Sequence, residues 1–162
     1  RTARINDMAV LRTQGRAATA GDDGSVRIWN LQDGTLLAAL TPVTRTLLTD
    51  VALSPDGTFV AAVGPDGLVH RWDLATNTEL PPLAAAAAGG TGPANFTNLA
   101  FSMDGSRLAA SRDDGSISIW DLAKGTAVST PPTGRPVTAL AFDSRHVIAA
   151  HDDGNDDDDD DY

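Results

Sequence analysis

The side chains able to do chemistry in this chain are few. His70, His146 and His151 are its only histidines and it has no cysteine, which rules out disulfides and thiolate metal sites. Ser144, His146 and Asp143 supply the residue types of a nucleophile, a base and an orienting acid. Strand neighbours alternate faces, however, and no glycine-rich oxyanion turn accompanies them, so chance proximity is the better account. His151-Asp152-Asp153 has the residue types of a metal site, but the same acidic turn recurs elsewhere without a histidine, which makes Asp152 and Asp153 hairpin residues. Asp156 to Asp161, ahead of Tyr162, carry six of the ten net negative charges. Such a run is a solvated tail that attracts a divalent ion or a basic partner loosely, without a cage of fixed geometry. The expectation is a chain with no catalytic, metal-binding or cofactor-binding residue, and hence not an enzyme.

What positions these residues is a repeat. Asp113-Asp114-Gly115-Ser116-Ile117-Ser118-Ile119-Trp120-Asp121-Leu122 reads as turn, strand, turn: Asp-Gly closes a tight hairpin, and the next five residues alternate small polar with bulky apolar. Copies stand at Asp22-Asp23-Gly24 to Trp29-Asn30-Leu31 and at Pro65-Asp66-Gly67 to Trp72-Asp73-Leu74, with a partial copy at His151-Asp152-Asp153-Gly154. A second signature precedes each copy: Val51-Ala52-Leu53-Ser54-Pro55-Asp56-Gly57, Leu99-Ala100-Phe101-Ser102-Met103-Asp104-Gly105 and a degraded Leu140 to Ser144. The tryptophans lie 43 and 48 positions apart, close to the roughly 40–45 residues of a four-stranded propeller blade. The excess falls in the low-complexity stretch Ala84 to Gly90.

With both motifs in register, the sequence resembles the WD-repeat β-propeller family from Ile5 to Gly154. The resemblance implies an all-β fold of WD-repeat blades, each of four antiparallel strands, in an incomplete ring. Blades are expected over about 5–41, 45–83 and 94–131, with a half blade at 134–155, making 1–155 one propeller segment and 156–162 an acidic tail. By register the fourth tryptophan would fall at Asp159, so two strands are missing. Fourth strands are expected to stop at Pro81-Pro82 and Pro131-Pro132, because proline cannot donate to a ladder. The structural residues of the repeat are Asp23, Trp29, Asp66, Trp72, Asp114, Trp120 and Asp153. In the family a histidine before the first strand, a hydroxyl on the second, the turn aspartate and the tryptophan form a buried network. Here the histidine position is Thr44, Gly92 or Thr133 and only Thr19 keeps the hydroxyl, so packing and turn geometry are expected to carry the blades. Arg71 stands where Ile28 and Ile119 stand in the other copies. A buried guanidinium needs a partner, and Asp50 is the expected one, with extension of the side chain to solvent as the alternative.

The remaining totals narrow the partners. Twelve basic residues are scattered rather than clustered, which argues against a nucleic-acid backbone. No apolar run is long enough to span a membrane. The chain opens with Arg1 and shows no secretory pattern, so processing or excision from a longer protein is expected to have set its start, and the cytoplasm is the expected compartment. The resemblance implies a scaffold for protein–protein interaction, possessing a docking face of loops before first strands and turns between second and third strands. On this chain that face comprises Arg4, Asp22, Leu47, Pro65, Asn95, Asp113, Pro136 and Asp152. Its acidic patches favour a basic protein. Because half a blade cannot close a ring, the remaining blades of a longer propeller are an alternative partner, and a filament or oligomer built through the open edge is the alternative function. Propellers that hydrolyse or oxidise small molecules are the enzymatic alternative, but the inner strands offer mostly Ala, Leu, Val and Thr.

Overall fold

The computed structural model describes residues 3–84, 95–143 and 146–151. Fourteen strands are described: β1 (Ile5–Leu11), β2 (Arg16–Gly21), β3 (Val26–Asn30), β4 (Leu36–Leu40), β5 (Asp50–Leu53), β6 (Phe59–Val63), β7 (Leu68–Asp73), β8 (Thr78–Ala84), β9 (Phe96–Phe101), β10 (Arg107–Arg112), β11 (Ile117–Asp121), β12 (Thr126–Ser129), β13 (Val137–Phe142) and β14 (Val147–His151). They form three four-stranded sheets in sequence order and one pair, β13-β14. Every pairing is antiparallel. These are propeller blades, and successive inner strands β1, β5, β9 and β13 lie side by side.

Second strands read as continuous apolar runs because sheets cover them on both faces. Val60, Ala61, Ala62 and Val63 are fully buried, as are Leu108, Ala109 and Ala110. Between the first two blades, Ile28, Val26 and Leu40 pack with Val51, Val60 and Trp72. Between the second and third, Val63 and Val69 pack with Phe96, Leu99, Leu108 and Trp120. Trp120 meets Phe96 edge-on at 5.8 Å and donates its indole N–H to the Ala84 carbonyl at 3.0 Å. Each such side chain contributes about 1.5–3 kcal/mol by leaving water.

Two details differ from expectation. Strand β8 runs through Pro81-Pro82 to Ala84; it is the outermost strand, so missing N–H groups cost no ladder bond on its free side, and the register with β7 shifts between Val69 and Arg71 to let the prolines pass. Arg71 makes no ion pair with Asp50. It sits opposite Ala61, which sits opposite Ala52, two residues down the inner strand from Asp50. Its Nη2 instead donates outward to the Pro81 carbonyl at 3.1 Å, while its Nε is buried without a bond.

Asp50 faces the inner strands. Its Oδ2 accepts the Leu99 N–H of the next blade at 2.5 Å, as Asp7 Oδ2 accepts the Val51 N–H at 3.0 Å. Burial, with Asp7 beside it, pushes the Asp50 carboxyl up to about 8. The folded carboxyl therefore holds its proton more tightly than the unfolded one. Its stabilising contribution is complete below the unfolded value of 3.8 and is lost as pH rises towards about 8. Asp50→Asn, which keeps the acceptor, is expected to flatten that fall by up to about 1.4 kcal/mol per pH unit, read from urea unfolding at several pH values; an unchanged slope contradicts it.

Candidate partner-binding face

The seven described face residues are all exposed at one end of the blades: Arg4, Asp22, Leu47, Pro65, Asn95, Asp113 and Pro136. Asp152 and Asp153 lie outside the described residues. Backbone geometry groups them in pairs, because the turn between second and third strands meets the segment before the first strand. Asp22 N–H donates to the Arg4 carbonyl at 3.0 Å, and Asp113 N–H to the Asn95 carbonyl at 3.2 Å. In the second blade the turn position is Pro65, which has no N–H to offer, and Gly64 comes so close to the Leu47 carbonyl that a Cβ would collide with it. Side chains reinforce the pairs: Asn6 donates to Asp22 at 2.7 Å and Asn95 to Asp113 at 3.1 Å.

The turn aspartates are held by their own hairpins. Asp23 accepts from Arg27 at 2.6 Å and from Ser25, which lowers its pKa to about 2. Asp66 Oδ2 meets Nε2 of His70 at 2.9 Å and accepts the Thr44 hydroxyl at 3.0 Å. On the other side of the same ring, Nδ1 meets Glu79 Oε1 at 2.9 Å, and His70 is 1% exposed. Burial works against ionising Asp114, yet bonds from Ser116 and the charge of Arg112 outweigh it and leave its pKa below the ordinary value. Arg112 itself is buried, its guanidinium 5.4 Å from the Phe96 ring centre.

Sequence reasoning missed this arrangement. Thr44 does occupy the family's histidine position and does bind the turn aspartate, while the imidazole comes from the third strand, at the place where Arg27 and Ser118 stand in the other blades. Trp29 Nε1 donates to Thr19 Oγ1 at 3.0 Å, as the retained hydroxyl suggested. Thr133 packs against the Gly115 turn, its hydroxyl 3.4 Å from the Gly115 carbonyl; Gly92 lies outside the described residues, as does Asp159. Also missed was Val43. Glu79 Oε2 accepts the Val43 N–H at 3.0 Å, and the loop so pinned leaves this valine 87% exposed beside a cleft of about 500 Å³ lined by Asp23, Pro42 and Arg45.

Elsewhere the candidates stay apart. His146 and Asp143 touch within one hairpin turn at 3.4 Å, with His146 largely exposed, and Ser144 lies outside the described residues. No group of three or more potential metal ligands converges among the described residues.

Blades in sequence order, a tryptophan packed towards the preceding blade and an acidic turn at one end all recur. The family description "Nucleolar protein 10-like, N-terminal domain", a β-propeller, matches residues 2–155. The chain belongs to this nucleolar protein 10-like propeller family. Apoptotic protease-activating factor 1 of Mus musculus is 39% identical over 67 residues, 36% of this chain and 5% of that protein. Its Homo sapiens counterpart is 33% identical over 66 residues, with the same shares. The structures of U3-55K and of the RRP9 WD40 repeats each superpose with a TM-score of 0.78 at 20% identity, covering 93% of this chain and 46% of theirs. At that identity the likeness shows the WD40 fold. The chain thus spans a twentieth of the curated relatives and under half of the solved propellers. No described helix is long and apolar enough to cross a membrane.

Within this nucleolar protein 10-like propeller, removing the imidazole would leave two carboxylates facing each other. His70→Ala is expected to destabilise the chain by about 2–3 kcal/mol and to speed amide exchange at Val43. Unfolding in urea and exchange by nuclear magnetic resonance check both, and Val43 protection that survives His70→Ala contradicts the pinned loop.

Proposed function

We propose that this propeller segment is a protein-interaction scaffold whose partner, a basic protein, docks on the end carrying Arg4, Asp22, Leu47, Pro65, Asn95, Asp113, Pro136 and Asp152. The observation that carries this reading is Val43. A nearly fully exposed apolar side chain held rigidly by a buried polar knot is what an interface anchor needs, since ordering has already been met in the free protein. Leu47, 42% exposed, adds apolar area beside it, and Asp22 and Asp113 add negative charge that steers a basic partner. The family's name moves the proposed compartment from the cytoplasm to the nucleolus.

A second partner is favoured by the two ends of the blade array. Trp72 and Trp120 are 2% and 3% exposed because each packs on the blade before it. Trp29 is only half-buried, and Met8 and Val10 on its face are 59% and 46% exposed. At the other end Ile148 is 55% exposed on a two-stranded sheet. We propose that further blades of the same kind cover both faces and complete the β14 edge.

A photo-crosslinking residue at Val43 is expected to capture a protein partner in the cell, with yield reduced at least about fivefold by Asp22→Lys with Asp113→Lys. The same residue at exposed Met103, in the opposite-end turn, is the control; equal yields from both sites contradict the docking face. Sedimentation tests the second partner: the isolated chain should self-associate, less so with Val10→Lys and Ile148→Lys, and a compact monomer contradicts it.

A further inference from the structure

At the end of the first blade opposite the docking face, a cleft of about 620 Å³ opens between the β1–β2 and β3–β4 connections. Arg12 and Arg16 line it with Gln14, Asn30, Gln32 and Leu37. Neither arginine has a carboxylate partner among the described residues; Arg16 reaches only the Gly57 carbonyl, at 3.5 Å. Both guanidiniums open on the same cleft. The turn carboxylates form no ion pair with either arginine and are bonded within their own turns: Asp33 to Thr35, Asp56 to Thr58 and Ser54, Asp73 to Ala75. Arg16 and Leu37 also line a second hollow of about 160 Å³, whose other walls are Ile28, Ala38, Leu74 and Asn77. A cationic, donor-rich cleft thus runs into an apolar one between the first two blades.

We infer that this composite cleft binds a short acidic peptide segment, its carboxylates on Arg12 and Arg16 and a neighbouring aliphatic side chain in the hollow of Ile28, Ala38 and Leu74. Guanidiniums match carboxylates in paired hydrogen bonds. A nucleic acid fits worse, because no aromatic side chain lines either cavity to stack a base. The site is independent of the docking face, since Ile5 pairs with Gly21 at one end of β1 and Leu11 with Arg16 at the other. It makes the segment two-sided, taking basic surfaces at one end and acidic segments at the other.

Fluorescence anisotropy on the 162-residue chain tests this with a labelled peptide alternating glutamate and leucine. Binding is expected, weakened at least about tenfold by Arg12→Gln with Arg16→Gln and several-fold by Gln32→Glu, which sets a carboxylate at the rim. Arg12→Gln alone removes an exposed side chain with no hydrogen bond to lose, so its loss of affinity cannot be ascribed to misfolding. Binding should also be weaker for the peptide with glutamine in place of glutamate. Equal binding of that neutral peptide, no effect of the arginine variants, no binding at all, or tighter binding of a short poly-uridine RNA would each overturn the inference.

Discussion

The inner strand of a propeller blade is an edge, with N–H groups that point away from its own sheet and would go unpaired in the crowded centre. Here carboxylates of the preceding blade meet that demand. Asp7 takes the Val51 N–H and Asp50 takes the Leu99 N–H. Aligned by strand, the position reads Asp7, Asp50, Asn98 and Ala139. Each bond joins one blade to the next, so it orders the array as well as satisfying an edge. The cost is two acidic groups side by side in a half-buried place, where burial and Asp7 raise the pKa of Asp50. Asn98 turns to Thr97 and Ser111 instead, and Ala139 offers nothing. Among the described residues the latch joins only the first three blades, and β13 lies beside β9 without it.

A second constraint governs the rim. Every turn between second and third strands carries an aspartate that must be held, and the three described blades hold it differently. Arg27 and His70 do so from the third strand, whereas Asp114 is held by the Ser116 N–H just before the third strand. Only the second blade adds a carboxylate on the far side of the group that holds its turn aspartate, and that carboxylate, Glu79, reaches over to fix Val43. The blade whose rim network recruits a second carboxylate is thus the one that presents the exposed Val43. At the opposite end Arg12 and Arg16 have no ion pair among the described residues, the turn carboxylates there being bonded within their own turns.

The fold was legible because its determinants are local: Asp-Gly turns, period-two alternation and a tryptophan recurring at a blade's length fix the order of strands and turns in each blade. What could not be read was set by tertiary register. Arg71 and Asp50 share a sheet, but a two-residue offset and the intervening strand β6 separate them. His70 seemed one more variable residue at a position held by Arg27 and Ser118, and nothing within its own blade motif announces Glu79 as its second partner. Val43 lay in a linker with no periodicity. Pro81-Pro82 read as a stop because sequence does not reveal that β8 has a free edge. The exposed placement of the residues proposed for docking followed from the turns that carry them.

Amide hydrogen exchange at Val51 and Leu99 tests the blade-to-blade latch most directly. These two N–H groups lie on inner-edge strands and have carboxylate acceptors from the preceding blade in place of ladder partners. The account predicts protection comparable to that of the buried second strands β6 and β10, lost at Val51 alone in Asp7→Ala and at Leu99 alone in Asp50→Ala. Rapid exchange at both positions in the unaltered chain would contradict it.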